Sequence, residues 1–567
     1  MKNINSFNNK KALVATFKIL GYFVLFWCLI GFIVMPMLNT IGLSFNSKSG
    51  TGIQNYVDYF SLANNLIVIK NTFSLGIITV LLCGIIGTSL AFYMSFIRVK
   101  HQKMIHTILL SPMMVPGVII VIAYIQLYGE SGLVTKSIQI LLGLKNVPFN
   151  FSGFKGIILV HALTQYVYFY LNVSIALKYV DYSSVEAARG LGANRWKIFT
   201  SVLFPEILPA LLSSAIITFI SGISSFSAPN LIGGRFRVLS TQIMISKANN
   251  YMNLASMQVV VLMLMGLSVM LTIRYYESKY AQESSVRAVP ITKGKISSLP
   301  VRFVVNVVVC VMLFLIVVPI LAIIILSFAK SSSMMMSIFP NEFGLFNYKN
   351  LFTKKRVLDP FLNSISMSFI AVVIGLGISL PIAYLVTKRK NKINMAAEMI
   401  LMLPLAMPVS TIAINLINSF NVKNIFMFNY ILIGTYWILP IAYIITALPL
   451  FMRTNIIAFE SFNTDFEYAS RSLGAGLIYT FTRITAPMVY PAIVSGGALV
   501  FIRTLGEHTM SSLLYGVYNR PISIAMVNAM QEYDIGLSMA YGSATIIICF
   551  VVMTIILNLD KENFQFR

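Results

Sequence analysis

Charge is scarce in this chain. Asp, Glu, Lys and Arg make up 11% of the 567 residues, against roughly 25% in soluble domains. With 57% hydrophobic residues and a mean hydropathy of +0.81, that excludes an ordinary soluble protein and leaves a polytopic membrane protein. Acidic residues are scarcer still, 18 against 42 basic ones, for a net charge of +24. In a soluble chain that excess would point to nucleic acid, but no basic patch interleaved with aromatic residues occurs, so no nucleic-acid partner is expected. Cys28, Cys83, Cys310 and Cys549 lie far apart inside apolar runs, with no CxxC pair. This excludes a disulfide framework and a thiolate metal site. His101, His106, His161 and His508 form no ligand cluster, and no GxxxxGK[ST] phosphate cradle occurs. No nucleophile–base constellation appears either. The chain is therefore expected to hold no cofactor and to catalyse nothing itself.

What it has instead is long apolar runs. One from about 17 to 43 is too long for a signal-peptide core and lacks a small-residue cleavage site, so it reads as an uncleaved first span. Runs of the ~20 residues that a helix needs to cross a bilayer follow near 72–97, 104–128, 156–178, 205–226 and 252–274. A polar stretch at 277–298 intervenes, after which the pattern restarts near 302–328, 362–386, 394–418, 429–452, 487–508 and 537–559. The expected fold is all-α: two tandem six-helix transmembrane domains, 1–276 and 299–567, joined by a cytoplasmic linker at 277–298, with about 12 transmembrane helices and membrane lipid around them.

The halves repeat each other in detail. Val185–Ala210 (VEAARGLGANRWKIFTSVLFPEILPA) aligns without a gap on Glu467–Ala492 (EYASRSLGAGLIYTFTRITAPMVYPA), 282 residues later. Ala187, Arg189, Leu191, Gly192, Ala193, Phe199, Thr200, Pro205, Pro209 and Ala210 meet identical residues. Asn71-Thr-Phe-Ser74 matches Asn363-Ser-Ile-Ser366, and Pro112 and Pro116 match Pro404 and Pro408, at an offset of 292. The second half is thus ten residues shorter between these markers, and the loop at 131–152 is the expected place. The paired prolines predict kinks, which lipid tolerates only where protein or a cavity covers the freed backbone groups.

A polar loop with a small-residue turn, kept between two spans in both halves, suggests a duplicated docking surface. The spacing of Glu186-Ala187-Ala188, Gly192 and Val202-x-Phe204-Pro205 resembles the EAA loop of bacterial ABC importer permeases. The second copy departs from it: Tyr468 stands in the place of Glu186, Glu467 lies one place earlier, and Ser470 replaces Ala188. The whole chain is similar to a fused, double-length type I permease. Ser225-Phe-Ser-Ala-Pro-Asn-Leu-Ile-Gly-Gly234 and Leu505-Gly-Glu507 are similar to phrases of ferric-iron permeases; thiamine, aminoethylphosphonate and polyamine permeases look much alike. The resemblance implies a location in the bacterial inner membrane and a homodimer of cytoplasmic ATPase subunits that uses the ATP. It also implies a substrate-binding protein on the outer side. ATPase-coupling roles are implied for Glu186, Ala187, Ala188 and Gly192 in the first copy, and for Glu467, Ala469, Ser470 and Gly474 in the second. An ion-coupled secondary transporter is the alternative of another class. It would also show repeats, but here each half has an even number of spans and mid-membrane coupling carboxylates are missing.

After each loop comes a span with polar groups near its far end. Ser221, Ser224 and Ser225 stand in the first, and Arg503 and Glu507 in the second, where Arg503 matches Ser221 and Glu507 matches Ser225. Ionisable residues inside a span are costly and are by default functional candidates, so these five are candidates for the substrate path or gate. Arg503 and Glu507, four apart, would share a helix face and pair; mutual neutralisation is the plainer reading. His508 is expected to be a satisfied interface histidine.

Charge sets the orientation. With both termini and both loops inside, 26 Lys and Arg fall on cytoplasmic segments, 15 outside and one, Arg503, within a span; positive residues favour the cytoplasmic side. Reporter fusions after Lys100, Lys197, Lys293 and Lys390 should therefore read cytoplasmic and one after Lys349 external; an external signal after Lys293 would rule out the six-plus-six arrangement.

Overall fold

The computed structural model describes residues 20–47, 50–280, 293–294, 298–337, 339–388 and 391–565. The polar segment 1–17 and, of the linker, residues 281–292 and 295–297 lie outside the described residues. Within them, eleven helical segments are long and apolar enough to cross a membrane, the two helices of Gly117–Leu141 counted as one, and one bent pair supplies a twelfth.

The first half runs α1 (Leu20–Ser44), α2 (Ala63–Phe96), α3 (Gln102–Leu110), α4 (Gly117–Tyr128), α5 (Leu133–Leu141) and α6 (Gly153–Tyr179). It continues through α7 (Tyr182–Gly190), α8 (Arg195–Ser224), α9 (Ser227–Ile232), α10 (Leu239–Ala248) and α11 (Met252–Tyr280). The second half repeats the order, beginning α12 (Leu299–Ser327), α13 (Lys355–Lys388), α14 (Lys392–Ala406), α15 (Val409–Phe420) and α16 (Ile438–Glu460). It ends α17 (Asp465–Ser472), α18 (Ile478–Leu505), α19 (Thr509–Leu514), α20 (Ile522–Gln531) and α21 (Ile535–Gln565). Among these helices, α5 alone has no counterpart. It occupies the stretch where the first half carries its ten extra residues.

The repeated prolines break the third span in both halves. A 3₁₀ turn at Ser111–Met113 precedes Pro116, and one at Leu403–Ala406 precedes Pro408, where α14 and α15 meet at 112°. Each second proline stands just before a helix, with φ of −55° and −52° and an extended ψ. The ring fixes that φ and removes an N–H that would otherwise have no acceptor at a helix start.

The repeated Asn-Thr/Ser pair serves another helix start. Asn71 Nδ2 donates to the Arg237 carbonyl (3.1 Å), and Thr72 Oγ1 accepts from the Leu239 amide (2.9 Å) at the start of α10. Asn363 Nδ2 donates to the Arg520 carbonyl (3.2 Å), and Ser364 Oγ accepts from the Ile522 amide (2.8 Å) at the start of α20. The first amides of a helix have no partner within it, and in lipid an unmet one costs several kcal/mol. Side chains of α2 and α13 supply that partner.

The two halves are not separate bundles. Helix α1 packs on α11 and on α15 of the other half, and α12 packs on α21 and on α3 and α4. One core cluster joins Leu29 and Ile33 of α1 to Phe420, Tyr443 and Leu448; a second joins Ile119 and Ile122 of α4 to Ile323 and Leu326 of α12. Polar bonds stitch the first seam. Asn39 Nδ2 reaches Ser419 Oγ (2.9 Å), and Asn418 Nδ2 reaches both Thr40 Oγ1 (3.0 Å) and Ser256 Oγ (2.8 Å). Lipid tails are as apolar as leucine, so such bonds, worth ~0.6 kcal/mol each, and close packing hold helices together in a membrane. The end of the linker is pinned as well. Gly294 bridges to Ile97, its amide donating to Phe96 and its carbonyl accepting from Arg98.

Residues 1–287 and 288–567, co-expressed as two chains, should therefore assemble and transport, because the seam and the Gly294 clip survive the cut. Either fragment alone should aggregate on detergent extraction. Assembly failing with both present, seen by co-purification, would make the continuous linker structural.

Candidate coupling loops and central break

The two copies of the loop fold alike because the same caps close them. In the first, the Asp181 side chain accepts from the Ser183 amide at the start of α7. At its end Leu191, Gly192 and Ala193 donate to the carbonyls of Ala187, Arg189 and Ala188. In the second, Leu473, Gly474 and Ala475 donate to Ala469, Arg471 and Ser470. Gly192 and Gly474 have φ of +81° and +87°. This left-handed conformation costs other residues about 1–2 kcal/mol, so glycine is needed here for its backbone. A Cβ at either position would meet nothing within 4 Å. Beyond the turn, α8 and α18 each begin with a short stem and a five-residue π-helical turn, Phe199–Leu203 and Phe481–Thr485.

The expected coupling residues divide by exposure. Glu186, Ala187, Ala469, Gly192 and Gly474 are exposed, and Ala188 is partly covered. Glu467 and Ser470 are buried. Glu467 stands on the 282 offset opposite the buried Val185, one helix position from Glu186, so it faces the bundle. Its carboxylate pairs with Lys388 Nζ at 2.9 Å and accepts from Thr485 Oγ1 at 2.8 Å. Tyr468, in the place of Glu186, is exposed. Outside the expected coupling set stand Leu191 and Leu473, each 89% exposed at the tip of its loop and flanked by exposed Trp196 and Ile478. Large apolar side chains presented together on an otherwise polar loop mark a protein-binding surface. The signal was there, since Leu191 and Leu473 are identical across the repeat.

At the other end, α8 and α18 stop and re-form as α9 and α19. The break falls at Ser225–Phe226 and at Gly506–His508. Each is held by the returning helix: Ser240 Oγ donates to the Ser225 carbonyl (2.6 Å), and Ser523 Oγ to the Glu507 carbonyl (2.7 Å). Phe226 and His508, which match on the 282 offset, meet with ring centroids 5.7 Å apart. Equivalent residues of the two halves touching each other put the pseudo-twofold axis between them. Gly506 sits so close to Pro116 that a Cβ on it would lie 2.0 Å from the proline ring.

The expected Arg503–Glu507 pair does not form. Helix α18 ends at Leu505, so the four-residue spacing no longer shares a helix face. The Glu507 carboxylate instead accepts the amides of Met510 (2.9 Å) and Ser511 (2.9 Å) and the Ser511 hydroxyl (3.2 Å), at the start of α19. A carboxylate there meets unsatisfied amides and the positive end of the helix dipole. Arg503 is exposed. With Val409, Thr446 and Glu507 it lines a void of about 20 Å³, room for one water. In the first half Ser225 Oγ lies 2.8 Å from His161 Nε2, whose Nδ1 is 3.0 Å from Thr79 Oγ1. On the 282 offset Tyr443 takes the place of His161, and its hydroxyl lies 2.8 Å from Ser511 Oγ. Ser221 is partly buried, and the buried Ser224 hydroxyl meets no partner among the described residues. His508 is 5% exposed, and neither ring nitrogen meets a hydrogen-bond partner among the described residues. It is not the satisfied histidine that was expected.

These two loops and one central break lie within a pair of regions, residues 84–282 and 372–564, that match the profile described as "Binding-protein-dependent transport system inner membrane component". A probable ABC transporter permease protein, y4fN, of Sinorhizobium fredii is 28% identical over 545 residues, covering 95% of both chains. The ferric transport system permease protein FbpB of Actinobacillus pleuropneumoniae is 26% identical over 84% of this chain and 69% of its own. The sulfate transport system permease protein CysT of Salmonella typhimurium is 24% identical over 37% of this chain and 79% of its own. Since the profile matches twice, once in each half and each time across a capped loop and a break, the chain belongs to the binding-protein-dependent transport system inner membrane component family and carries two of its domains fused in tandem.

Proposed function

We propose that this ABC importer permease forms the translocation pathway for ferric iron, delivered by a substrate-binding protein outside and driven by a homodimer of ATPase subunits inside. The observation that carries the coupling part is the pair of capped loops, each presenting one leucine at its tip. Ferric iron is preferred because two relatives aligned over most of this chain are ferric transport permeases, FbpB and its Haemophilus influenzae counterpart. Sulfate, spermidine/putrescine and molybdate/tungstate permeases match over about a third of it. Thiamine, aminoethylphosphonate and a polyamine remain the other substrates of the same architecture.

In this reading α7 and α17 dock in clefts of the two ATPases through Glu186, Ala187, Ala188, Gly192, Ala469 and Gly474, with Leu191 and Leu473 seated deepest. ATP hydrolysis belongs to those subunits. Closure of the ATPase pair draws α7 and α17 together and biases the spans toward the outward-open state, by contacts that differ between the two states. The pathway closes where Phe226 meets His508 and Gly506 meets Pro116. Ser221, Ser224, Ser225, Arg503 and Glu507 surround that closure and line the path as it opens. Both termini lie in the cytoplasm, and the membrane is the bacterial inner membrane.

Two experiments test this. Gly192→Glu and Gly474→Glu should weaken co-purification with the ATPase, since a charged side chain at a packed contact costs about 1–3 kcal/mol; Gly192→Asn, which tolerates the left-handed backbone, should keep it. The first loop should be the more sensitive, as it holds the full small-residue pattern. Wild-type complex and stimulated hydrolysis in both glutamate variants would remove the docking assignment. Replacing Phe226 and His508 together by alanine should give proteoliposomes that leak substrate without ATP, and tight vesicles would place the closure elsewhere.

A further inference from the structure

The surfaces beneath the two coupling helices differ in kind. Beneath α7 lies an apolar cluster that includes Val185, Ile198 and Leu203, with Phe96 and Ala188 packed against it. At these five matching positions beneath α17 the residue is polar or charged. Lys388 stands for Phe96, Glu467 for Val185 and Ser470 for Ala188; Thr480 stands for Ile198 and Thr485 for Leu203. These side chains are bonded to one another. Glu467 holds Lys388 and Thr485, and the Ser470 and Thr480 hydroxyls lie 3.0 Å apart. The Lys388 ammonium also sits 5.6 Å from the Phe462 ring centroid.

We propose that Glu467 is a positioning residue: through Lys388 and Thr485 it makes α17 move as one body with the ends of α13 and α18, while α7 rests on an apolar bed over which it can shift. This rests on the reading of α7 and α17 as docking helices. Apolar contact is non-directional and scales with area, so a small roll of α7 exchanges one set of contacts for another at little cost. The α17 bed has directed bonds. Side chains only 20% and 7% exposed hold its ion pair, where salt screens weakly and loss of one partner strands the other charge. One carboxylate thereby ties a coupling helix to two spans at once. ATPase movement reaches the second half rigidly and the first half with slack, so each half has a separate part in one cycle.

Hydrogen exchange on the full chain in lipid nanodiscs tests the tie without any partner. Backbone amides of α17 should exchange about tenfold more slowly than those of α7, a measure of local opening, and Glu467→Gln should abolish the difference. Reconstitution with the ATPase that co-purifies with the wild-type chain tests its purpose. Transport per ATP hydrolysed should fall about tenfold in Glu467→Gln, within the range that mutations change coupling, and recover in the exchanged pair Glu467→Lys with Lys388→Glu. If the single variants fold poorly, a fivefold variant copies the first bed: Lys388→Phe, Glu467→Val, Ser470→Ala, Thr480→Ile and Thr485→Leu. It should fold, exchange like α7 and transport little per ATP. Equal exchange of α7 and α17 in the wild type, or wild-type transport per ATP in the fivefold variant, would overturn the proposal. A wild-type chain that captures no ATPase would instead remove the docking reading, and the exchange measurement would still decide the tie.

Discussion

Within lipid every peptide N–H and C=O must find its partner inside the protein. The long helix α2 satisfies this along its own length. At three helix starts, side chains from outside the helix take over. Asn71 and Thr72 serve the start of α10, Asn363 and Ser364 that of α20, and Glu507 that of α19. The spans are interrupted at the prolines, at the π-helical turns and at the central break. These are the same places where the repeated loops and the contact between the halves are built. A break is expensive to support, and its supports are recognisable as short polar motifs in otherwise apolar sequence.

Much of this was legible beforehand for a physical reason. Spans of 20 or more apolar residues and a charge bias across short loops are properties of the chain alone. The duplication added a control, since a residue present at the same place in both halves answers a shared backbone demand. Gly192 with Gly474, and Pro116 with Pro408, are of this kind. Positions where the copies differ were read less well. Residue type alone places Glu467 with Glu186 in the coupling set, yet one step along a helix turns a side chain by about 100°, from the exposed side to the bundle side. The pairing of Arg503 with Glu507 rests on a spacing rule that presumes an unbroken helix, and nothing local announces that α18 ends at Leu505. His161, Phe226 and Tyr443 gave no signal because their partners are 64 or more residues away in the chain.

The same comparison shows what duplication has left free to vary. Outer geometry is held: the caps, the left-handed glycines, the π turns and the exposed leucines agree between halves. Supporting chemistry is not, and a histidine serves where a tyrosine stands in the other copy, as apolar residues do for an ion pair. A fused chain can fix such differences permanently, because each half always meets the same partner half.

The interleaved cores also set the order of events during synthesis. Phe32 of α1 stacks on Phe420 at the end of α15, with ring centroids 5.2 Å apart, and the two residues are 388 positions apart in the chain. At ~5–20 residues per second, α1 stands in the bilayer for about 20–80 s before its mate leaves the ribosome. Throughout that interval its polar face, Asn39 and Thr40, has no Asn418 or Ser419 to meet. The newborn first half therefore passes through a stage in which it is inserted but not yet assembled, its seam open to lipid, to a chaperone or to a quality-control protease.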